Sequence, residues 1–292
     1  MVDGFLVVDK PVGLSSHDVV NRVRRILGTK KVGHTGTLDP FATGVLPIAV
    51  GEATKAIQFL DEGHKTYDAV IRLGVSTDTL DITGTVLQQQ DATAVTRELL
   101  QQQMISLTGE ISQLPPMYSA IKQGGQPLYK LARKGIEVER QTRRVVVRSF
   151  KLLEFVSPLV TVCVDCSRGT YVRTLADDLG QLLGCGACLT ELRRTVSGPF
   201  RLEHSMSLEQ LAEYAADEIV EQHQVTIPEA LSHLKMIQLD EPELQRLKNG
   251  IPPREKLLQS DSGIFCLMYG QQVIAVAEQT PDRAVSLKRV FN

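Results

Sequence analysis

The segment from Gly33 to Gly44 concentrates side chains that could do chemistry. It holds the carboxylate of Asp39, the imidazole of His34 and three threonine hydroxyls between glycines. Pro40 disfavours the α conformation for Asp39, and glycine permits positive φ or a close approach of two backbones, so a loop is expected. A carboxylate in such a loop can stabilise or attack a carbon that develops positive charge. The alternative is that Asp39 caps its own turn and has a purely structural role.

Basic residues are segregated from acidic residues along the chain. Lysine and arginine dominate residues 122–151, whereas acidic residues dominate residues 202–250, and the net charge is only −2. A segregated basic segment is typical of a surface that binds a phosphate backbone; the alternative is a solvated surface without a partner. Gly124, Gly125 and Gly135 predict that this segment is mobile. The residues predicted to contact an RNA backbone are Lys122, Lys130, Arg133, Arg143, Arg144 and Arg148.

Two cysteine pairs have the spacing of a zinc ribbon. Cys163 and Cys166 form one pair, and Cys185 and Cys188 form the other. The first pair, however, lies in an apolar run that predicts a strand, where side chains three residues apart point to opposite faces. We therefore expect no metal site, and no disulfides in a protein expected to be cytoplasmic.

The predicted elements place a cation at the start of a helix. Residues 171–183 have helical spacing, and Thr170 is the expected N-cap, so Arg173 falls in the first turn. The helix dipole disfavours a cation there, which suggests that Arg173 needs an anionic partner. The alternative is an exposed arginine with no partner. Further helices are predicted over 16–27, 53–60 and 96–107, and strands over 5–9, 45–50, 67–73, 145–155 and 159–166.

Length and composition indicate one large domain, or one large and one small domain. No apolar run approaches the roughly 20 residues that cross a bilayer, and the N-terminus lacks the pattern of a signal peptide. A cytoplasmic protein is expected. From about residue 233 the pattern changes to short strands over 264–269, 273–277 and 285–290, and Gly270 suits a hairpin turn between the first two.

Several segments, in order along the chain, resemble the TruB family of bacterial tRNA pseudouridine synthases, which modify uridine 55 in the T loop. The resemblance spans most of residues 5–198 and thins out after about residue 200. It is carried by residues 33–44 and by the stretches LVVDKP from Leu6, GEATK from Gly51, KTY from Lys65, TDT from Thr77, PMYSA from Pro116, CSRGTYVRT from Cys166, DDLG from Asp177 and LRR from Leu192.

The resemblance implies roles for particular residues. Asp39 matches the catalytic aspartate of the family, and Arg173 matches the arginine that pairs with it. The residues that match the substrate-binding set are His34, Tyr67, Tyr171, Arg173 and Leu192. Lys10 and Asp81 resemble supporting members of the site. The family reaction needs no redox change, group donor or metal, so the resemblance implies no cofactor and no metal.

The resemblance also implies an α/β (α+β) fold with a mixed, mostly antiparallel sheet flanked by helices. The expected catalytic domain covers residues 1–232, with a basic RNA-clamp insertion at about 117–148. Residues 233–292 resemble a small RNA-binding β-barrel of the PUA type; the alternative is a β module that contacts no RNA.

The expected function is the isomerisation of uridine 55 to pseudouridine in tRNA, with tRNA as the partner, no required protein partner and a monomeric state. One alternative is a guide-RNA-dependent relative, against which the basic insertion argues. The other is a tRNA-folding chaperone in which the chemistry is secondary.

Overall fold

A mixed, mostly antiparallel sheet forms the centre of the molecule, as the computed structural model shows over residues 2–61, 63–258 and 260–291. The strands before residue 230 are β1 (Gly4–Lys10), β2 (Val32–His34), β3 (Thr43–Val50), β4 (Lys65–Leu73), β5 (Val75–Thr77), β6 (Val86–Gln89), β7 (Gly109–Gln113), β8 (Lys122–Gln123), β9 (Gln126–Pro127), β10 (Arg143–Val156), β11 (Leu159–Cys166), β12 (Ala187–Ser197), β13 (Phe200–Arg201) and β14 (Val225–Thr226). The helices in this part are α1 (Ser16–Ile26), α2 (Ala53–Ala56), α3 (Arg97–Ser106), α4 (Leu128–Ala132), α5 (Val172–Leu182), α6 (Leu208–Ala216) and α7 (Ile227–Ala230).

The order of the strands across this sheet is β14-β1-β3-β12-β4-β11-β10-β7, with β2 added to β3 and β13 to β12. All of these pairs are antiparallel except β12 with β3. Strand β12 therefore lies between β3 and β4, which precede it by more than a hundred residues. The sequence patterns predicted β1, β3, β4, β10 and β11 but missed β12, the strand in the middle of the sheet.

The two faces of the sheet have separate apolar cores. On one face, Leu46 and Ile71 belong to a large cluster that includes Val20 of α1 and Leu175 of α5. On the other face, Phe5 and the residues around it contact the C-terminal part of the chain. The alternation of side chains along β1 and β3 assigns residues of these strands to both layers.

The C-terminal part contains a second, smaller sheet. It consists of β15 (Lys235–Gln238), β16 (Gly263–Tyr269), β17 (Gln272–Gln279) and β18 (Val285–Val290), in that order, with α8 (Glu241–Lys248) and α9 (Arg254–Leu258). Gly270, with φ 59°, lies in the β16–β17 turn as predicted. Within the described residues β15 and β18 do not pair, so this sheet is open and the expected closed barrel is not formed.

Both faces of the C-terminal sheet are covered. Cys266 and Met268 share a cluster with Phe5 of β1 and Ala53 of α2. The opposite face, which includes Leu267, contacts the apolar residues of α8 and α9. The face of this sheet that carries Cys266 and Met268 therefore packs against the face of the main sheet that carries Phe5.

The predicted basic insertion leaves the sheet at the end of β7 and returns to it at Arg143, the first residue of β10. The expected end at residue 148 therefore lies within a strand. Gly124 and Gly125, which the sequence predicted to be mobile, lie in a defined turn. Their φ angles of 56° and 82° form the two-residue turn between β8 and β9, a conformation that glycine adopts without strain.

Candidate active site

The loop that carries Asp39 is fixed through its backbone. The Ser16 hydroxyl, at the start of α1, accepts a hydrogen bond from the Leu38 amide (2.8 Å) and donates one to the Leu38 carbonyl (3.1 Å). The fully buried Lys10 ammonium donates to the Pro40 carbonyl (3.4 Å) and to two carbonyls of the turn after β1 (2.9 and 2.7 Å). The residues on both sides of Asp39 are therefore held, and its side chain can project away from them.

Arg194 of β12 also fixes the backbone of this loop. Its guanidinium is fully buried and donates to the carbonyls of Gly36 (3.1 Å) and Val45 (2.8 Å). Gly44 has φ 97°, and a Cβ atom there would lie 2.2 Å from the Arg194 carbonyl oxygen. Only glycine fits this position, because any side chain would collide with the backbone of β12.

The Asp39 carboxylate forms a two-point ion pair with Arg173. Arg173 Nε lies 2.9 Å from Asp39 Oδ2, and the terminal nitrogen Nη2 of Arg173 lies 3.2 Å from Asp39 Oδ1. The Arg173 side chain is 4 % exposed and that of Asp39 is 33 % exposed. Burial raises the pKa of Asp39 above its ordinary value, and the Arg173 charge opposes that rise. The predicted need of Arg173 for an anion is met by Asp39, and the turn-capping alternative for the Asp39 side chain is not observed.

The remaining donors of Arg173 are also occupied. The guanidinium donates to the carbonyls of Thr79 (2.9 Å) and Tyr118 (2.8 Å), and it lies 3.6 Å from Asp81 Oδ2. Asp81 is itself 4 % exposed and is held by Thr83, whose amide and hydroxyl donate to Oδ1 at 2.9 and 2.5 Å. Arg173 is thereby fixed in one orientation behind Asp39.

The expected N-cap of α5 was wrong. The N-cap residue is Tyr171 rather than Thr170, and no side chain caps the helix from that position. Arg173 therefore occupies the second position of the helix, still within the first turn. Serine and threonine are preferred N-caps, but here the Tyr171 backbone is bonded to Gln113 of β7 instead.

A cavity of about 440 Å³ opens in front of the Asp39–Arg173 pair. Its lining includes all six residues that the resemblance assigned to catalysis or substrate binding: His34, Asp39, Tyr67, Tyr171, Arg173 and Leu192. They come from β2, the loop after it, β4, α5 with its N-cap, and β12. Lys10 and Asp81 do not line the cavity; they lie behind the loop and behind Arg173, respectively.

The aromatic side chains of the cavity are neutral near pH 7. Tyr67 is 7 % exposed, and burial raises the pKa of its phenol above the ordinary value, although the nearby Arg194 charge opposes this. Burial and the Arg194 charge both lower the pKa of His34. The Nδ1 atom of His34 is buried without a hydrogen-bond partner among the described residues.

The cavity also contains residues that the sequence patterns did not single out. Lys65, at the start of β4, and Arg168, in the turn after β11, both line it, as does Ser119 from the insertion. A Cβ atom at Gly36 would lie 3.0 Å from Lys65 Nζ, so the ammonium rests on the Asp39 loop. Lys65 and Arg168 lie within the KTY and CSRGTYVRT stretches that carry the family resemblance. That position in the matched stretches is the signal by which the sequence could have identified them.

The predicted RNA-backbone residues lie on two different supports, and all are exposed. Lys122, Lys130 and Arg133 belong to the insertion, whereas Arg143, Arg144 and Arg148 belong to β10. Arg148 is also engaged within the protein, because it donates to the Gly63 carbonyl (2.9 Å) and lies 3.5 Å from Asp165. The β10 arginines are thus part of the main sheet and lie outside the insertion.

The cysteine pairs do not converge. Cys163 is partly exposed while Cys166 is fully buried on the opposite face of β11, as the strand pattern predicted. Among the residues that the structure describes, no group of three or more His, Cys, Asp or Glu side chains is arranged to hold a metal ion. Within the same residues, no helix is long and apolar enough to span a bilayer.

Two family models match the chain. The model of the TruB family pseudouridylate synthase N-terminal domain matches residues 24–172, and that of the tRNA pseudouridylate synthase B C-terminal domain matches residues 173–259. The boundary between the two matches falls at the start of α5, so the Asp39–Arg173 pair joins residues from both.

Curated proteins and solved structures resemble the whole chain. The chain is 48 % identical to tRNA pseudouridine synthase B of Geobacter sulfurreducens, with 100 % of both chains covered, and 53 % identical to that of Geotalea uraniireducens, with 100 % and 98 % covered. Among solved structures, a Cbf5-Nop10-Gar1 complex contains a chain that is 27 % identical, with a TM-score of 0.75 over 99 % of this chain and 85 % of that one.

A second such structure is an H/ACA RNP bound to a substrate RNA containing 2'-deoxyuridine. Its matching chain is 25 % identical, with a TM-score of 0.72 over 99 % of this chain and 85 % of that one. The fold therefore agrees with the expected one. Family models that together cover most of the chain, and full-length relatives at about half identity, establish that this protein belongs to the TruB family of pseudouridylate synthases.

Proposed function

We propose that this protein is an isomerase that converts uridine 55 in the T loop of tRNAs to pseudouridine, without a cofactor. The observation that carries the proposal is the Asp39 carboxylate, which is fixed by Arg173 and exposed at the floor of a cavity of about 440 Å³. That volume suits one nucleoside. The relatives are named tRNA pseudouridine synthase B, which supports tRNA as the substrate.

The reaction breaks the N1–C1′ bond of uridine, turns the detached base and forms a C5–C1′ bond. C5 loses a proton and N1 gains one, so the product is an isomer and no external reactant is consumed. Asp39 supplies negative charge where C1′ becomes electron-poor, either by stabilising that charge or by attacking the carbon. Arg173 keeps the carboxylate ionised and correctly oriented, because its opposite charge counteracts the effect of burial on the pKa of Asp39.

A uridine inside a T loop reaches the cavity only after it leaves the base stack, at a cost of a few kcal/mol. Tyr67 offers a ring on which the flipped base can stack, and Leu192 and Tyr171 supply apolar and aromatic walls. The raised pKa of Tyr67 makes its phenol a poor proton acceptor in the free protein, which supports stacking as its main role. We propose that His34, which is neutral and lines the same cavity, fills the space that the flipped base leaves.

Exposed basic residues on the insertion and on β10 support a tRNA partner. Arg143 and Arg144 form the side of the proposed phosphate-binding surface that β10 carries, and Lys122, Lys130 and Arg133 form the side that the insertion carries. Lys65 and Arg168 at the cavity itself are suited to the phosphates of the flipped nucleotide. We further propose that the enzyme acts as a monomer, that residues 1–232 are the catalytic domain, and that residues 233–292 form a PUA-like module that contacts RNA.

The test is to incubate the purified protein with an unmodified tRNA transcript and map pseudouridine at nucleotide resolution. We expect one modified position, uridine 55, with no added guide RNA, second protein or cofactor. A transcript with cytidine at position 55 is the matched control and should remain unmodified. Modification at another position would contradict the assigned site, and activity only with added protein or RNA factors would favour the guide-dependent alternative.

A further inference from the structure

Gln113 joins the root of the basic insertion to the start of the helix that carries Arg173. It is the last residue of β7, and it is paired with Arg143, the first residue of β10. The insertion therefore begins and ends at this residue pair. The Gln113 side chain, only 2 % exposed, turns away from β10 toward α5, 58 residues further along the chain.

The carboxamide of Gln113 forms two hydrogen bonds with the backbone of Tyr171. Gln113 Oε1 accepts a hydrogen bond from the Tyr171 amide (2.7 Å), and Gln113 Nε2 donates one to the Tyr171 carbonyl (3.1 Å). A planar amide that bonds both backbone groups of one residue fixes the rotation of that residue as a neighbouring strand would. The same carbonyl accepts from the Leu175 amide in the first turn of α5.

Two functional groups depend on the orientation of Tyr171. Its own side chain is a wall of the substrate cavity, and Arg173 follows two residues later. Arg173 also donates to the Tyr118 carbonyl of the insertion (2.8 Å). The segment 113–118 and the start of α5 are thus bonded at two positions, Gln113 to Tyr171 and Tyr118 to Arg173.

We propose that Gln113 is a positioning residue for the Asp39–Arg173 pair and for the Tyr171 wall of the cavity. The proposal rests on the proposed function, since it concerns the same reaction. Gln113 does not reach the cavity and does not contact substrate. It acts by holding the Tyr171 backbone, and a misplacement of reacting groups by about 1 Å can cost about 100-fold in rate.

The first variant is Gln113→Met, which keeps a similar volume but removes both hydrogen bonds. We expect the single-turnover rate of pseudouridine formation to fall about 10- to 100-fold, while the affinity for tRNA stays within about two-fold, because phosphate contacts supply most of it. Gln102→Met, an exposed position on α3, is the matched control and should leave the rate unchanged. A wild-type rate in the Gln113 variant would overturn the proposal, as would a rate loss that tracks the unfolded fraction or the lost affinity.

The second variant, Gln113→Glu, gives a readout that a purely structural role would not move. Its ionised carboxylate can accept from the Tyr171 amide but cannot donate to the Tyr171 carbonyl, whereas the protonated form can do both. The ratio of the variant rate to the wild-type rate should therefore increase as the pH falls. A ratio that does not change with pH would overturn the proposal. This test remains decisive if the Gln113→Met variant does not fold.

Failure of this inference is distinguishable from failure of the proposed function. If wild-type protein formed no pseudouridine in tRNA, the proposed function would fall. If the wild-type protein were active and both Gln113 variants kept its rate and its pH profile, only the positioning role would fall.

Discussion

Replacing Asp39 with asparagine removes the negative charge of this side chain while it nearly keeps the shape of the site. Asparagine has nearly the same volume and can still accept from Arg173 through its carbonyl oxygen, but it carries no negative charge. Removing one preorganised group that faces developing charge in a transition state typically costs 100- to 1,000-fold. Asp39 faces the reacting carbon itself, so we expect a loss of at least about 1,000-fold in pseudouridine formation.

The structure limits how much Asp39→Asn should destabilise the fold. Breaking a fully buried ion pair commonly costs about 3–5 kcal/mol. Here Asp39 is 33 % exposed, and Arg173 keeps Asp81 at 3.6 Å together with the carbonyls of Thr79 and Tyr118. Because folding raises the pKa of Asp39, its ionised form also carries a cost that the variant lacks. We expect the free energy of unfolding to change by no more than about 2 kcal/mol.

The assay pairs single-turnover pseudouridine yield with filter-binding affinity for the same tRNA. Affinity should change little, since phosphate contacts dominate it. Asp68→Asn, an exposed carboxylate next to Tyr67 on β4, is the matched control and should keep full activity. Turnover near wild type in Asp39→Asn would refute the role of the carboxylate. Lost affinity with an intact fold would instead identify the loop as a binding element, and tRNA refolding that survives the change would support a chaperone role.

The other predictions address the surface, the buried lysine and the cysteines. Neutralising Arg143 and Arg144 to glutamine should flatten the log–log dependence of tRNA affinity on salt by about 0.7–0.9 per lost phosphate contact; an unchanged slope in a salt titration would place the RNA elsewhere. Burial lowers the pKa of Lys10 to about 8 from 10.5, so between these values the unfolded chain binds more protons and the contribution of Lys10 to stability rises with pH. In urea denaturation across that range, the free energy of unfolding of wild type minus that of Lys10→Met should increase by up to about 1.4 kcal/mol per pH unit. A difference that does not change with pH would contradict this. The double variant Cys185→Ala, Cys188→Ala should fold and remain active in excess EDTA, whereas zinc released on unfolding, detected by a chelating dye, would restore the zinc-ribbon interpretation.

The sequence was sufficient for the loop, for the flanking strands and for the partner of Arg173, but not for β12. Most predicted strands alternate apolar and polar residues, which is the pattern of a half-buried strand. Strand β12 breaks this pattern with the charged residues Arg193 and Arg194. Their charges are accommodated only by distant groups, since Arg193 pairs with Asp9 at 2.7 Å and Arg194 bonds the carbonyls below the Asp39 loop. No local pattern contains that information.

The N-terminus of α5 shows a similar limit. Thr170 had the better intrinsic preference for the N-cap position, yet Tyr171 occupies it. The side chain that bonds the Tyr171 backbone comes from β7, outside the window that capping rules consider. In the insertion, Gly124 and Gly125 form a tight turn whose positive φ angles favour glycine, a role that the sequence pattern did not identify.

The position of β12 between β3 and β4 has a consequence for how the chain folds during synthesis. The two earlier strands pair with β12 and not with each other, and Arg194 bonds Gly36 across a separation of 158 residues. Such long-range contacts make folding slow, because the entropy of loop closure is lost before the contacts form. A nascent chain that ends before residue 187 has most of the site residues but lacks the strand that unites them. A complete site therefore requires about two thirds of the chain, and until β12 has formed, the edge of β4 that it covers is open to aggregation.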